Sequence, residues 1–155
     1  LTVQPYIINI NETTIITLIQ ENISLIPSYI FRPQRYSQLI RLASATNFLP
    51  DVVGRICLIQ GSDLYNHYTD SKIIIGLRLD SSKLVRLTLW DKEASNFREL
   101  NHISTRKNQI VIITSIIPRL HEGKLSLTTT PGSHFYFDND IDIIQCFEKK
   151  NKLLS

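Results

Sequence analysis

The chain has 155 residues, of which 43% are apolar and 20% are charged, and its formal net charge is +3. This length predicts a single domain, and this composition excludes a disordered tail because the chain can bury a hydrophobic core. The longest aliphatic stretches are much shorter than a bilayer span, so we expect no membrane partner. The mild positive charge permits an anionic partner without requiring one.

The N-terminal third predicts extended and irregular chain. The runs YIINI (6–10) and TTIITLI (13–19) are rich in isoleucine and threonine, which favours extended segments. Three prolines interrupt the region that follows, and proline cannot donate to a β-ladder. Within it, QRYSQLIRLA (34–43) predicts one short helix.

From residue 51 onward the pattern is that of short strands. DVVGRICLIQ (51–60) predicts a strand, and its glycine, Gly54, indicates a bulge or a sharp bend. GSDLYNHYTDS (61–71) predicts a long polar loop. KIIIGLRLD (72–80) and KLVRLTLW (83–90) then predict a hairpin that turns at the Asp-Ser-Ser sequence between its strands.

The second half of the chain predicts a helix, a second hairpin and a final helix. The segments are DKEASNFREL (91–100), NQIVIITSII (108–117), a turn at 118–123, KLSLTTT (124–130) and NDIDIIQCFEKKNKLL (139–154). Each helix has an apolar stripe, formed by Ala94, Phe97 and Leu100 in the first and by Ile141, Ile144 and Phe147 in the second.

Five strands, a helix between the third and the fourth, and a C-terminal helix are the layout of an OB-fold, a five-stranded Greek-key barrel. We therefore predict a mainly β protein in which residues 51–155 form the OB-fold. Residues 1–50 are expected to be an extended lead-in that packs on the barrel, so that the whole chain is one structural domain.

Alternation along the central hairpin separates a core face from a polar face. The core face consists of Ile73, Ile75, Leu77, Leu79, Val85, Leu87 and Leu89. The polar face carries Lys72, Ile74, Arg78, Arg86, Thr88 and Trp90, and Gly76 leaves space there for a flat group. Single-stranded nucleic acids are bound by cations that follow the phosphates and by aromatic rings on which bases stack. Alternatively, Trp90 closes one end of the barrel beneath the N-terminal segment, and the basic residues are merely solvated.

The sequence contains no recognisable catalytic or metal-binding constellation, so we predict no enzyme activity, no cofactor and no metal. DNDID (138–142) begins like a calcium loop but lacks the required glycine, and helix capping by Asp138 or Asp140 is the better interpretation. The four histidines are scattered singly. Cys57 and Cys146 lack metal-ligand spacing and are expected to be buried free thiols.

Several motifs occur in a fixed order along the chain. They are YIININETTIITL, DVVGRICLIQ, GLRLD, KLVRLTLWDKEASNF, IVIITSII, GKLSLTTT and NDIDII. In this order they resemble the large subunit of replication protein A, and within it the second high-affinity OB domain, DNA-binding domain B. The resemblance covers about residues 6–147, and TLWxxxAxxF (88–97) is moderately specific. The isoleucine-rich text suggests a divergent plant or protist paralogue.

The resemblance implies a nuclear module that binds single-stranded DNA in replication, repair and recombination, beside neighbouring OB domains or other subunits. It implies that Trp90 stacks on a base and that Lys72 contacts the backbone. The family's second stacking aromatic is replaced here by Leu120 or His121, and Arg119 is available for the phosphate contact. The predicted DNA-binding residues are therefore Trp90, Arg86, Thr88, Arg78, Lys72, Arg119, His121 and Lys124.

Other functions remain open at this point. The missing second aromatic and the low net charge also fit an OB domain that has lost most nucleic-acid affinity and become a protein-interaction module. A stacking platform does not exclude single-stranded RNA. In the long polar loop, Tyr65, His67 and Tyr68 either clasp a nucleic acid strand or belong to an exposed, mobile loop.

Overall fold

The structure is a computed structural model that describes residues 8–19, 27, 29–44, 48–80, 83–100 and 109–152. Within these residues the chain forms seven strands and three helices. In chain order they are α1 (Tyr36–Leu42), β1 (Val52–Gly61), β2 (Ile73–Arg78), β3 (Leu84–Leu89), α2 (Asp91–Glu99), β4 (Ile110–Ile113), β5 (Ile117–His121), β6 (Lys124–Thr128), β7 (Phe135–Tyr136) and α3 (Asp142–Lys152).

The strands form one sheet in the order β5-β6-β3-β2-β1-β4-β7. Neighbouring strands are antiparallel except for β3 and β6, which run parallel. β4 and β5 are two halves of one bent segment, of which the first half pairs with β1 and the second with β6. This segment therefore links the two sides of the sheet into a barrel. The predicted OB-fold, with α2 between the third and fourth strands and a C-terminal helix, is confirmed.

The barrel core is built from the inward-facing side of the central hairpin. All seven residues predicted for that face are at most 1% exposed: Ile73, Ile75, Leu77, Leu79, Val85, Leu87 and Leu89. α2 adds Ala94 and Phe97 to the same core, as predicted. Leu100 was also expected on this stripe, but it is 47% exposed because α2 ends at Glu99 and leaves Leu100 beyond the last turn.

A second apolar cluster lies on the outer side of β4, beneath α3. All four residues of β4 are buried, and of these Ile110 and Ile112 pack against Ile144 and Phe147 of the helix. Ile141 contacts the same cluster but is only partly buried. The predicted apolar stripe of the last helix is thus confirmed, and we refer to this packed surface as the α3 face.

β1 contains the predicted irregularity, but at a different residue. The register against β2 shifts between Ile56 and Leu58, whereas Gly54 lies in regular register against β4. The prediction of a bulge at Gly54 is therefore wrong. A Cβ atom there would lie 2.6 Å from the Cγ atom of Leu77, so glycine is required for close packing of β1 against β2.

The turn predicted at 118–123 is also wrong in extent. β5 continues to His121, and only Glu122 and Gly123 form the turn, with φ angles of 49° and 74°. Two residues with positive φ are typical of the tight turns that match the twist of a hairpin. Ser81 and Ser82 of the other predicted turn lie outside the described residues.

The burial predicted for the two cysteines is wrong. Both are free, but Cys57 is only partly buried and Cys146 is exposed. Cys57 is only partly buried because it lies at the bulge, where the register shifts between Ile56 and Leu58. Cys146, in α3, lines an open pocket with Pro33 and Val53 and remains exposed there.

The predicted helix capping by Asp138 or Asp140 is wrong, because α3 begins at Asp142 and the carbonyl of Ile141 accepts the backbone N–H groups of Ile144 and Gln145. Asp138 instead accepts a hydrogen bond from the backbone N–H of Asp140 at 2.9 Å, in the turn before the helix.

The lead-in contains the predicted short helix, α1, and contacts the barrel at a bridge between Pro33 and Asp51. Within 8–19 no strand is formed, and the side chains of Ile8, Ile15, Ile16 and Leu18 are more than 80% exposed. Residues 6 and 7 of the first predicted extended run lie outside the described part of the chain. The division of the chain at residue 50 stays a prediction.

Candidate nucleic-acid interface

The outward face of five adjacent strands carries the predicted site residues; we call it the open face. The strand register aligns Arg119, Ser126, Arg86, Gly76 and Leu58 in one row across β5, β6, β3, β2 and β1. The neighbouring row is Ile117, Thr128, Thr88, Ile74 and Gln60. Arg86 and Arg119 are thus two strand spacings apart, about 10 Å, so their guanidinium groups can bind neighbouring phosphates.

Trp90 lies just beyond the end of β3, where the chain turns into α2. Its carbonyl accepts hydrogen bonds from the backbone N–H groups of Glu93 and Ala94, which makes it the N-terminal capping residue of the helix. The next residue, Asp91, has a φ of 46°, a conformation that aspartate tolerates better than most residues. Trp90 itself is still extended, with φ of −119° and ψ of 153°, so its indole stays on the same side of the sheet as Arg86 and Thr88.

The indole of Trp90 is held in place and remains accessible. Its Nε1 donates to the hydroxyl of Thr128 at 3.4 Å, and the Nζ atom of Lys72 lies 5.7 Å from the ring centroid. That distance allows a cation–π interaction. The residue is 46% exposed, so the described part of the chain does not bury it beneath an N-terminal segment. Two predicted site residues, Trp90 and Lys72, are therefore in direct contact.

The β5–β6 turn forms the far end of the open face. His121 and Lys124 lie opposite each other in the strand register, and both line an open groove with Arg86. The Nε2 atom of His121 is 4.0 Å from a carboxylate oxygen of Glu122, which brings one negative group close to this end. Alternation places Leu120 on the other side of β5, so His121 is the turn residue that faces the groove.

Tyr36 was not predicted from the sequence, yet it lines the same groove from α1. Its side chain is partly buried against the barrel core, and its backbone N–H donates to the carboxylate of Asp80 at 3.2 Å. No sequence pattern indicates this position, because the contact between α1 and the β5–β6 hairpin depends on the closed barrel. The groove therefore has an aromatic wall as well as two cations.

Arg78 is exposed at the end of β2, and Arg55 lies opposite it across β1. Alternation along β1 indicates that Arg55 points away from the core, but the sequence interpretation stopped at the hairpin and left it out. Arg55 and Arg78 are both positively charged and lie opposite each other in the register. Together they add positive potential to the edge of the open face.

The centre of the open face is more apolar than predicted. Leu58 and Leu84 are 42% and 61% exposed and flank Gly76 in a shallow depression. A Cβ atom at Gly76 would lie only 3.1 Å from the Cβ atom of Leu58. Gly76 therefore allows the close approach of Leu58 and also lines the depression, so the space predicted at this position is present. Leu58 was missed because the bulge reverses the alternation of β1 after Ile56.

The 62–72 loop, between β1 and β2, is attached to α2. The guanidinium of Arg98 donates to the carbonyls of Ser62, Asp63 and Thr69 and to the hydroxyl of Ser71. The hydroxyl of Ser95 donates to the carbonyl of His67 at 2.9 Å. Burial lowers the pKa of Arg98, whereas the carboxylates of Asp63 and Asp70 raise it. Tyr65, His67 and Tyr68 are exposed at the tip of the loop.

The described ranges contain no group of three or more His, Cys, Asp or Glu side chains arranged to hold a metal ion. Across the same ranges, none of the helices combines the length and the apolar character that a membrane span requires.

Comparison of the sequence with known proteins gives no match to a protein-family model and no match to a curated protein. Comparison of the structure gives several. A chain of a replication protein A heterotrimer bound to single-stranded DNA superposes with a TM-score of 0.63 and 18% identity, over 85% of this chain and 30% of that chain.

Two fission yeast structures are also similar. Pot1 with single-stranded DNA superposes with a TM-score of 0.51 and 12% identity, over 74% of this chain and 44% of that one. The Pot1pC domain of Schizosaccharomyces pombe bound to single-stranded DNA has a TM-score of 0.51 and 10% identity, over 82% and 100% of the two chains. At these identities the likeness shows the fold. By strand topology and by these similarities, the chain is an OB-fold domain.

Proposed function

We propose that this chain is a single-stranded DNA-binding OB module that binds by base stacking and phosphate contacts, with little sequence preference. The observation that carries the proposal is the arrangement of the open face. A half-exposed indole with a lysine over its ring lies at one end, and Arg86 and Arg119 lie two strands apart across the middle. Stacking tolerates any base, because every base has a π-face.

The proposed contacts follow from the positions of the side chains. Trp90 stacks on a base, while Lys72 reaches both the ring and a phosphate. Arg86 and Arg119 bind phosphates in the middle of the face. Thr88, a half-buried residue of β3 between Arg86 and Trp90, contributes a hydroxyl. The remaining proposed contacts are made by Arg78 at one edge and by His121 and Lys124 at the turn.

The direct experiment is a titration of labelled oligo-dT with the purified chain at low and at moderate salt. We expect binding at low salt that weakens as salt rises, since phosphate contacts release counterions. Unlabelled oligo-rU and duplex DNA serve as competitors. If oligo-rU competes as well as oligo-dT, the open face binds single-stranded RNA as well as single-stranded DNA. Duplex DNA should compete poorly. Absence of binding at low salt would contradict the proposal.

A protein-interaction module is the second candidate, and the exposed leucines favour it. Leu58 and Leu84 flank the depression in the centre of the open face, and each is more than 40% exposed. Exposed apolar groups near one another are typical of protein contacts. Failure of oligo-dT to bind at low salt would support this function. Substitutions of these leucines that disrupt a complex with a protein partner, without changing DNA affinity, would also support it.

The wider assignment extends the resemblance found in the sequence. We propose that the chain is part of a replication protein A-like large subunit and corresponds to its DNA-binding domain B. It would act beside other OB domains or subunits, in the nucleus, in replication, repair and recombination. It would bind without catalysing a reaction. The order of the motifs and the similarity to a chain of the replication protein A heterotrimer support this assignment.

A further inference from the structure

A single buried guanidinium ties the two arms of the 62–72 loop together. Arg98, in the last turn of α2, is only 3% exposed. Its donors reach the carbonyls of Ser62 at 2.9 Å and Asp63 at 3.2 Å on the outgoing arm. They also reach the carbonyl of Thr69 and the hydroxyl of Ser71, both at 3.2 Å, on the returning arm. One side chain therefore sets the spacing of the two arms.

Only an arginine can make this set of contacts. Its planar group has five N–H donors in a fixed fork and stays charged, whereas a lysine has three donors on one atom. The nearby carboxylates of Asp63 and Asp70 favour the charge. Lysine at position 98 would keep the charge but lose most of the hydrogen bonds, so Arg98→Lys separates the two contributions.

The tip of the same loop presents aromatic rings to solvent. Tyr65 and Tyr68 are 84% and 88% exposed, and the ring centroids of His67 and Tyr68 are 4.1 Å apart. The returning arm ends at Lys72, whose ammonium lies over Trp90. The loop is therefore continuous with the end of the open face at which we place a stacked base.

We propose that Arg98 is a positioning residue for nucleic-acid binding: without touching the strand, it holds the 62–72 loop in the shape that presents Tyr65 and Tyr68 for stacking. This inference rests on the proposed function and adds to it a residue that lies off the open face. The physical reason is entropy, because a loop that is fixed before binding does not have to be ordered by the ligand.

The test is a double-mutant cycle in the full chain. Affinity for labelled oligo-dT is measured for wild type, Arg98→Lys, Tyr65→Ala/Tyr68→Ala and the triple variant. Arg98→Lys is expected to weaken binding about tenfold, as the loss of one stacked base would. It should have no further effect once both tyrosines are gone, because it acts through them. Amide hydrogen exchange should be faster in the 62–72 loop of Arg98→Lys and unchanged in β2 and β3.

Two further variants keep the test decisive. Ser95→Ala removes one hydrogen bond to the loop and should give a smaller loss of affinity, about threefold, even if Arg98→Lys does not fold. Phe147→Leu lowers stability at the α3 face and should leave affinity unchanged. An equal loss with and without the tyrosines, or affinity that does not change although the loop exchanges faster, would overturn this inference alone. A wild-type chain that does not bind oligo-dT would overturn the proposed function as well.

Discussion

The open face and the α3 face are both outward surfaces of the same barrel, and they share β1. Val53, near the start of that strand, packs into the cluster beneath α3, whereas Leu58 and Gln60, near its end, lie on the open face. On the α3 face the outward residues of β4 are aliphatic and buried. On the open face the corresponding positions carry arginine, lysine, threonine and exposed leucine.

The difference shows how a barrel of this size divides its outer surface. A helix covers one side, so that side contributes burial to stability, at about 25 cal/mol per Å² of apolar area. Among the described residues, helix contacts at the open face are limited to α1 beside the β5–β6 hairpin, so most side chains of this face are accessible to a ligand. Substitutions on the first surface should therefore change the free energy of unfolding, and substitutions on the second should change binding.

Phe147→Ala is expected to give the largest effect and to act on stability alone. The ring is 6% exposed and packs with Ile110, Ile112 and Ile144. Removing a buried phenylalanine costs about 3–5 kcal/mol, which urea unfolding followed by circular dichroism would measure. Affinity for oligo-dT, measured below the unfolding transition, should not change. A parallel loss of affinity would mean that the two faces are coupled.

Trp90→Ala is the matching substitution on the open face. It should weaken binding of oligo-dT by about 1–3 kcal/mol, the range for one stacked base, and leave the fold intact because the indole is half exposed. Trp90→Phe is the control, since it keeps a stacking ring. A large fall in melting temperature with unchanged affinity would show that Trp90 belongs to the core. Trp90 is the only tryptophan, so quenching of its fluorescence by DNA reports its contact independently.

The fold was predictable because its signals are local. Alternation identified every core residue of the central hairpin, since a strand with one buried face repeats every second residue. Applied to β1, the same rule would have placed Leu58 inside the barrel, because a bulge that no residue type announces reverses the faces of that strand. Tyr36 and Arg98 were missed for a different reason. They come to the groove and to the loop from helices, through contacts that exist only once the barrel has closed.

Charge removal on the open face should change the salt dependence of binding. If Lys72, Arg78, Arg86, Arg119 and Lys124 together neutralise about four phosphates, log K should fall with log salt at a slope near −2.8, at roughly −0.7 per contact. Arg86→Gln/Arg119→Gln should reduce the slope to about −1.4. Lys149→Gln/Lys150→Gln on α3 is the matched control and should leave it unchanged. A slope near zero for wild type would place the cations off the path of the strand.

His121→Phe should give the smallest effect, a gain of affinity. His121 is exposed at the β5–β6 turn, opposite Lys124 in the strand register, and it lines the groove together with Tyr36. A phenyl ring there would offer a larger stacking surface and would no longer approach the carboxylate of Glu122. The expected gain is on the order of 1 kcal/mol, the low end for one stacked base, because imidazole already supplies part of the stacking. Leu120→Phe, on the other side of β5, is the control and should not raise affinity. No gain from either variant would mean that the strand stops short of the turn. Binding would then be confined to Trp90, Lys72 and the two arginines, and the groove at the turn, which the exposed Leu84 also lines, would be left for a protein partner.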